Sequence, residues 1–251
     1  MKVTAIIQAR MTSSRLPGKI LMEVMGKPLL QLMIERTLAA ECVDSVVLAT
    51  TDNPEDDPTE KLGRELGVKV FRGSEDDVLG RFYQAAKQYG GEHIMRLTGD
   101  CPLIDPDLLD QLADFYFNGK FDFASNCEEP TLPDGLDAEI LSFKTLEEAH
   151  AKAERPSHRE HVTLFVCDHP EMFKIGSWLN GTDYSSLRWT VDNAEDFEAV
   201  KAIIERLLPV KQDFRMMDAV NMIRNNPEIT AVNSHINRNE GLAKSLAEEM
   251  E

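Results

Sequence analysis

No CxxC pair occurs anywhere in these 251 residues. Cys42, Cys101, Cys127 and Cys167 are too widely spread for the ligand spacing of a zinc site or for a secreted disulfide framework, which predicts a reducing, cytoplasmic setting. No apolar stretch approaches the ~20 residues of a membrane helix, and no basic segment with a long apolar run opens the chain, so no membrane partner is expected. Basic residues are scarce, 27 Lys and Arg against 44 Asp and Glu, for a formal charge of −17. Nucleic acid is therefore not an expected partner, because phosphate backbones need basic stripes. GxxxxGKS, GxxxxGKT and GxGxxG are all missing, which excludes a Walker loop and a dinucleotide fingerprint. Internal repeats, low-complexity tracts and Gly/Ser linkers are absent too.

What is present reads as one soluble α/β enzyme domain. Continuous apolar runs at 3–7, 45–50, 68–71 and 93–97 suit strands covered on both faces. Helical spacing follows between them: from Pro28 at a first-turn position, over 76–89, and from Pro106 to about 118. This alternation predicts a doubly wound, mostly parallel sheet. After residue 121 the order loosens. Strands are expected at 121–125, 138–143, 172–175 and 187–191, some antiparallel, and helices at 144–153, 158–166, 194–207 and 214–225. The expected organisation is a single domain over 1–251. It carries a small antiparallel insertion at about 125–180 and a helical tail from about 210.

The loop behind the first strand, "QARMTSSRLPGK", reverses the overall charge. Arg10, Arg15 and Lys19 stand there with the hydroxyls of Thr12, Ser13 and Ser14, and Glu23 is the first acid in the chain. Doubly wound sheets bind ligands at the carboxyl ends of their strands. Guanidinium forks suit phosphate oxygens, whereas lysine offers a mobile point charge. A polyphosphate pocket and a plain solvated basic loop both fit the charge alone.

The segment "IIQARMTSSRLPGKIL" closely resembles the N-terminal signature of the cytidylyltransferases that make CMP-activated acidic sugars, in the spelling of the spore coat polysaccharide biosynthesis protein F subgroup. The resemblance continues in order through "FRGSEDDVLGRFYQAA", "RLTGDCPLIDP", "SHREHVT" and "LRWTVDNAEDFEAV", covering most of 1–208. It implies a Rossmann-like fold of the nucleotide-diphospho-sugar transferase type, a homodimer, and CTP and an acidic sugar as substrates. It matches Gln8, Ala9 and Arg10 to the segment that meets cytosine and ribose. Arg15 and Lys19 match positions that hold the triphosphate and stabilise departing pyrophosphate, with Ser13 beside them. Gln8 replaces the proline found here in many sialate and octulosonate enzymes.

Asp100 ends "HIMRLTGD" and Asp192 ends "LRWTVD", each at the close of a strand-like run. Asn193 can cap the following helix with Asp196 as its partner, which leaves Asp192 without a capping duty. Two carboxylates so placed suit a Mg²⁺ ion that keeps waters and phosphate oxygens as its other ligands, and the resemblance puts metal-binding aspartates at both positions. Asp77 reads first as a helix starter, and Asp77 and Arg81 are further candidates for the nucleotide pocket. By resemblance, "DGLDAEIL" and "HREH" lie at the acceptor and dimer region. Asp137, Glu139, Arg159 and His161 are the acceptor candidates, with Arg159 suited to pairing with an acceptor carboxylate. The expected reaction is attack of an anomeric hydroxyl on the α-phosphorus of CTP, with Arg15, Lys19 and Asp100 as catalytic residues. A glycosyltransferase of the same architecture and a non-catalytic nucleotide-binding partner are the rival readings.

Overall fold

A computed structural model describes residues 2–249. In it the apolar runs become strands in the expected alternation. β1 (Val3–Gln8) leads through a short hairpin, β2 (Glu23–Val24) and β3 (Lys27–Pro28), into α1 (Leu29–Leu38). Then come β4 (Val43–Thr51), α2 (Asp57–Glu65), β5 (Lys69–Gly73), α3 (Val78–Tyr89), β6 (His93–Thr98) and α4 (Pro106–Gly119). The second half adds β7 (Phe123–Ser125), β8 (Glu139–Ser142), α5 (Phe143–Lys152), α6 (Pro156–Glu160), α7 (Leu164–Cys167) and β9 (Ile175–Ser177). It ends with α8 (Ala194–Leu207), α9 (Met216–Arg224), α10 (Glu228–Ala231) and α11 (Glu240–Glu248).

One seven-stranded sheet carries the order β5-β4-β1-β6-β8-β7-β9. The first four strands are parallel, with β1 between β4 and β6, so the chain reverses its winding direction at β1. β8 runs antiparallel to both β6 and β7, while β7 and β9 are parallel. Side chains alternate across the sheet, and the β1 sequence shows the consequence. Ala5 and Ile7 enter a core with Leu30, Met33 and Ile34 of α1 and Leu109 and Leu112 of α4. Ile6 enters the opposite core with Leu79 and Phe82 of α3 and Leu146 of α5. A third cluster joins Leu29 and Leu32 of α1 to Val200, Ile203 and Ile204 of α8, Val220 of α9, and Leu132, Leu136 and Trp189. That cluster fixes the two segments that carry Asp134 and Asp192 beside the strand ends.

Several expected elements take another form. Pro28 ends β3 and caps α1 instead of opening it. Residues 187–191 form no ladder, only an isolated bridge from Arg188 to Asp134. Their neighbour turns away at Gly135, whose φ of +104° excludes a continuing strand. The helix expected over 158–166 is split into α6 and α7 by Val162, a buried β-branched residue at φ +32°. The break lets Val162 join the core while His161 and Thr163 face a cleft. The short strand after α7 lies at 175–177 instead of 172–175. α2 had no apolar stripe to announce it: only Thr59 and Gly63 are buried among its residues.

Candidate active site

The basic loop leaves β1 at the carboxyl edge of the sheet and folds back on itself. The Gly18 amide donates to the Met11 carbonyl (2.9 Å), and Gly18 takes a left-handed φ of +73° that favours glycine. The Met11 amide donates to Asp56 (2.8 Å), an aspartate with no solvent exposure. So anchored, the loop lines a cavity of about 540 Å³ with Gln8, Ala9, Arg10, Ser13, Arg15 and Lys19. Arg81, Asp100 and Asp192 close the same cavity. A Cβ at Gly99 would come within 2.7 Å of the Ala9 Cβ, so the floor beside Ala9 is kept flat by glycine.

At its centre the Lys19 ammonium donates to Asp100 (2.7 Å) and Asp192 (2.8 Å). Lys19 is only 7% exposed. Burial opposes its charge, but the two carboxylates outweigh burial and hold its pKa above the ordinary value. Burial likewise works against the Asp100 anion, and the Lys19 cation overcomes it, holding that carboxyl below the usual range. Arg15 adds a second cation to Asp192 (2.8 Å). Asp192 is itself held from behind. The Arg188 guanidinium donates to it (3.0 Å) and to Asp196 (2.9 and 3.1 Å). Asp196 is fully buried and also accepts from the amides of Asp192 and Asn193 (both 3.0 Å) and from Asn233 (2.9 Å). The capping pair expected at Asn193 and Asp196 thus does double duty, starting α8 and orienting Asp192.

A second cavity of about 300 Å³ adjoins the first across Arg15, Arg96, Asp100, His161 and Asp192. Its lining is dominated by carboxylates: Glu128, Asp134, Asp137 and Glu139. Most of them meet a guanidinium. Arg96 bonds Glu139, Arg188 bonds Asp134, and Arg238 bonds Asp137. Burial pushes the Asp137 carboxyl up to about 7 despite Arg238. His161 reaches Ser245 Oγ (3.0 Å), and burial lowers its pKa although Glu160 pulls the other way.

Three sequence expectations need revision or sharpening. Arg159 lines neither cavity: its guanidinium grips both oxygens of Asp77 (Nε–Oδ1 2.9 Å) and the His150 carbonyl (3.0 Å). Asp77 is likewise absent from the linings, because it caps α3 by accepting from the Gly80 amide (2.9 Å). These two residues pin α6 to the start of α3. Gln8 keeps its place in the first cavity and accepts from Arg96 (3.2 Å), a role proline could not fill. Glu75, unnoticed in sequence, holds the loop through Arg10 (3.2 Å) and Thr12. Arg96 and Arg188 were missed as well, although each is a cation inside an otherwise apolar run, "HIMRL" and "LRWTV". Arg81 is buried in the first cavity's wall, bonded to the Ser74 carbonyl, with no partner for its Nε among the described residues.

Known proteins resemble this chain in sequence and fold. A family model described as cytidylyltransferase matches residues 4–234. The chain is 32% identical over 231 residues to spore coat polysaccharide biosynthesis protein SpsF of Bacillus subtilis, spanning 89% of this chain and 94% of that protein. A solved cytidylyltransferase from Leptospira borgpetersenii superposes with a TM-score of 0.87 at 39% identity, covering 92% of this chain and 97% of its own. A CMP:2-keto-3-deoxy-manno-octonic acid synthetase solved with CTP shares the fold, with a TM-score of 0.65 at 19% identity over 82% of this chain and 99% of that one. No described helix is long and apolar enough to cross a membrane. The chain belongs to the cytidylyltransferase family.

Proposed function

We propose that this cytidylyltransferase moves the cytidylyl group of CTP onto the anomeric hydroxyl of an acidic sugar, releasing pyrophosphate, with Mg²⁺ as cofactor. The observation that carries the reading is the convergence of Asp100 and Asp192 on one ammonium at the edge of the sheet. Two hard oxygen ligands already sharing a cation fit Mg²⁺, which binds through one or two carboxylates and keeps its other positions for water and phosphate. Once held by Asp100 and Asp192, the ion would neutralise and align the phosphates.

The chain's own residues supply the rest. Gln8, Ala9 and Arg10 border the part of the first cavity assigned to base and ribose. Arg15 and Lys19 supply positive charge where pyrophosphate departs, which lowers the barrier as negative charge builds on the leaving group. Lys19 stands on a flexible four-carbon stem and can turn from the carboxylates to the phosphates. The sugar occupies the second cavity, so that its hydroxyl attacks the α-phosphorus as the bond to the β-phosphate oxygen breaks. An ulosonic acid carries its carboxylate on the anomeric carbon, and Arg96 stands at the junction of the two cavities where that carbon would lie. Asp137, with a carboxyl near 7, suits uptake of the hydroxyl proton at neutral pH. A homodimer belongs to the same reading, supported by the sequence resemblance, as does a cytoplasmic setting, supported by the widely spaced thiols. A part in polysaccharide biosynthesis is supported by the name of the Bacillus relative.

The test is to incubate the protein with CTP, Mg²⁺ and a panel of ulosonic and nonulosonic acids, and to measure pyrophosphate. Release that depends on one acceptor and stops on metal chelation is the expected result. No release with any acid sugar, alongside turnover of a neutral sugar, would overturn the acceptor assignment.

A further inference from the structure

The family match ends at residue 234, yet the chain beyond it touches both cavities. The Asn237 carbonyl accepts from Arg188 (3.4 Å), and Arg238 bonds the Leu132 carbonyl (3.1 Å) and Asp137. Glu240 at the head of α11 pairs with Arg15 (2.7 Å), on the guanidinium that also holds Asp192. Farther along, Ser245 meets His161 (3.0 Å) and Glu160 (2.7 Å). Glu249 closes the far end on Arg155 (2.8 Å) and the Ser157 amide. None of the described side chains of α11 is buried. The helix is therefore held by hydrogen bonds and half-exposed ion pairs, the kind of hold that opens locally at small cost.

We propose that the segment from Asn237 to Glu249 is a displaceable wall of the active site, in which the Glu240 carboxylate occupies Arg15 where a phosphate of the nucleotide binds. Docking of α11 and binding of a triphosphate then oppose one another, each lowering the affinity of the other by the same factor. The chemistry requires this: Arg15 has already given one edge to Asp192, and a polyanion entering beside Glu240 meets a like charge. The nucleotide is thus admitted by releasing the wall, and α11 can return as pyrophosphate leaves. The inference rests on the assignment of Arg15 to the triphosphate.

The experiment measures CTP affinity by calorimetry with Mg²⁺ and no acceptor, for the unaltered 251-residue chain and for Glu240→Gln. It also follows amide hydrogen exchange over 241–249 with and without CTP. Glu240→Gln is expected to bind CTP about two- to fivefold more tightly, an advantage that shrinks as salt screens the pair. Exchange over 241–249 should speed up when CTP binds. Arg155→Ala loosens the far end of α11 from outside both cavities and should also tighten CTP binding. Equal or weaker binding by both variants, or exchange slowed by CTP, would overturn the proposal in favour of a wall that closes over the nucleotide. If the unaltered protein binds another nucleoside triphosphate but not CTP, the cytidylyl reading falls, and the same comparison with that nucleotide decides the role of Glu240. If it binds none, both fall.

Discussion

Replacing Lys19 with Met keeps the apolar stem and deletes the charge that Asp100 and Asp192 share. Removing one partner of a buried ion pair typically costs about 3–5 kcal/mol, because the other charge is stranded. Here the stranded carboxylates keep 24% and 20% side-chain exposure, and Asp192 retains Arg15 and Arg188. Water and the remaining cations absorb part of the cost, so about 2 kcal/mol is expected, or roughly 4–8 °C in Tm for a chain of this size. The pH dependence identifies the cause. Asp100, whose folded pKa lies below the ordinary aspartate value of 3.8, contributes stability that is present above that value and lost as pH falls through the folded one. Lys19, raised above 10.5, contributes stability that is present below that value and lost as pH rises through its folded pKa. The gap between wild type and Lys19→Met should accordingly be full between about pH 4 and 10 and should narrow outside that window. Thermal melts carried through that window and beyond both of its edges, each with and without millimolar MgCl₂, make the measurement. Mg²⁺ should raise the Tm of Lys19→Met by more than it raises that of the wild type, since a metal can replace the lost ammonium. A gap that ignores pH would make the loss one of packing. Equal shifts with metal would refute the pairing of Asp100 and Asp192 as metal ligands.

Arg159→Ala should lower stability by about 1–2 kcal/mol through loss of its grip on Asp77, while the ratio of acceptor KM to CTP KM stays unchanged in steady-state assays. A rise in acceptor KM alone would return Arg159 to the acceptor end. Gly135→Ala brings a Cβ within 2.3 Å of the Thr190 amide nitrogen and 2.5 Å of the Trp189 carbonyl carbon, at a backbone angle that L-residues avoid. Neither contact is a side chain that can swing aside, so denaturant unfolding should show a loss of about 3–5 kcal/mol. Asp137→Asn should remove an inflection near pH 7 from the kcat/KM profile, because the aspartate's raised pKa makes it titrate there. A profile that keeps the inflection would assign it to another group.

How much of this was legible beforehand follows from the kind of signal each feature leaves. The parallel half of the sheet was visible because strands covered on both faces carry apolar runs in place of strict alternation, as β1, β4 and β6 do at 5–7, 46–49 and 94–95. The loop cations and the two strand-end aspartates were visible because each breaks its surroundings: basic residues in an acidic chain, and acids closing apolar runs. α2 was not, since Thr59 and Gly63 make no stripe. Nor was the failure of 187–191 to join a ladder, because what excludes it is Gly135, fifty residues away, and no local pattern encodes a distant neighbour's turn. The same limit explains Arg159. A guanidinium suits an acceptor carboxylate and an aspartate at a helix start equally well, and only the packing of α6 on α3 decides between them. Arg96 and Arg188 mark a signal that can be read in advance. A guanidinium cannot shed its proton when an apolar run buries it, so each such residue demands acidic partners from elsewhere in the chain. Here those partners are Glu139 for Arg96, and Asp134, Asp192 and Asp196 for Arg188, and the ion pairs they form stand beside the carboxylate of Asp100 at the edge of the sheet.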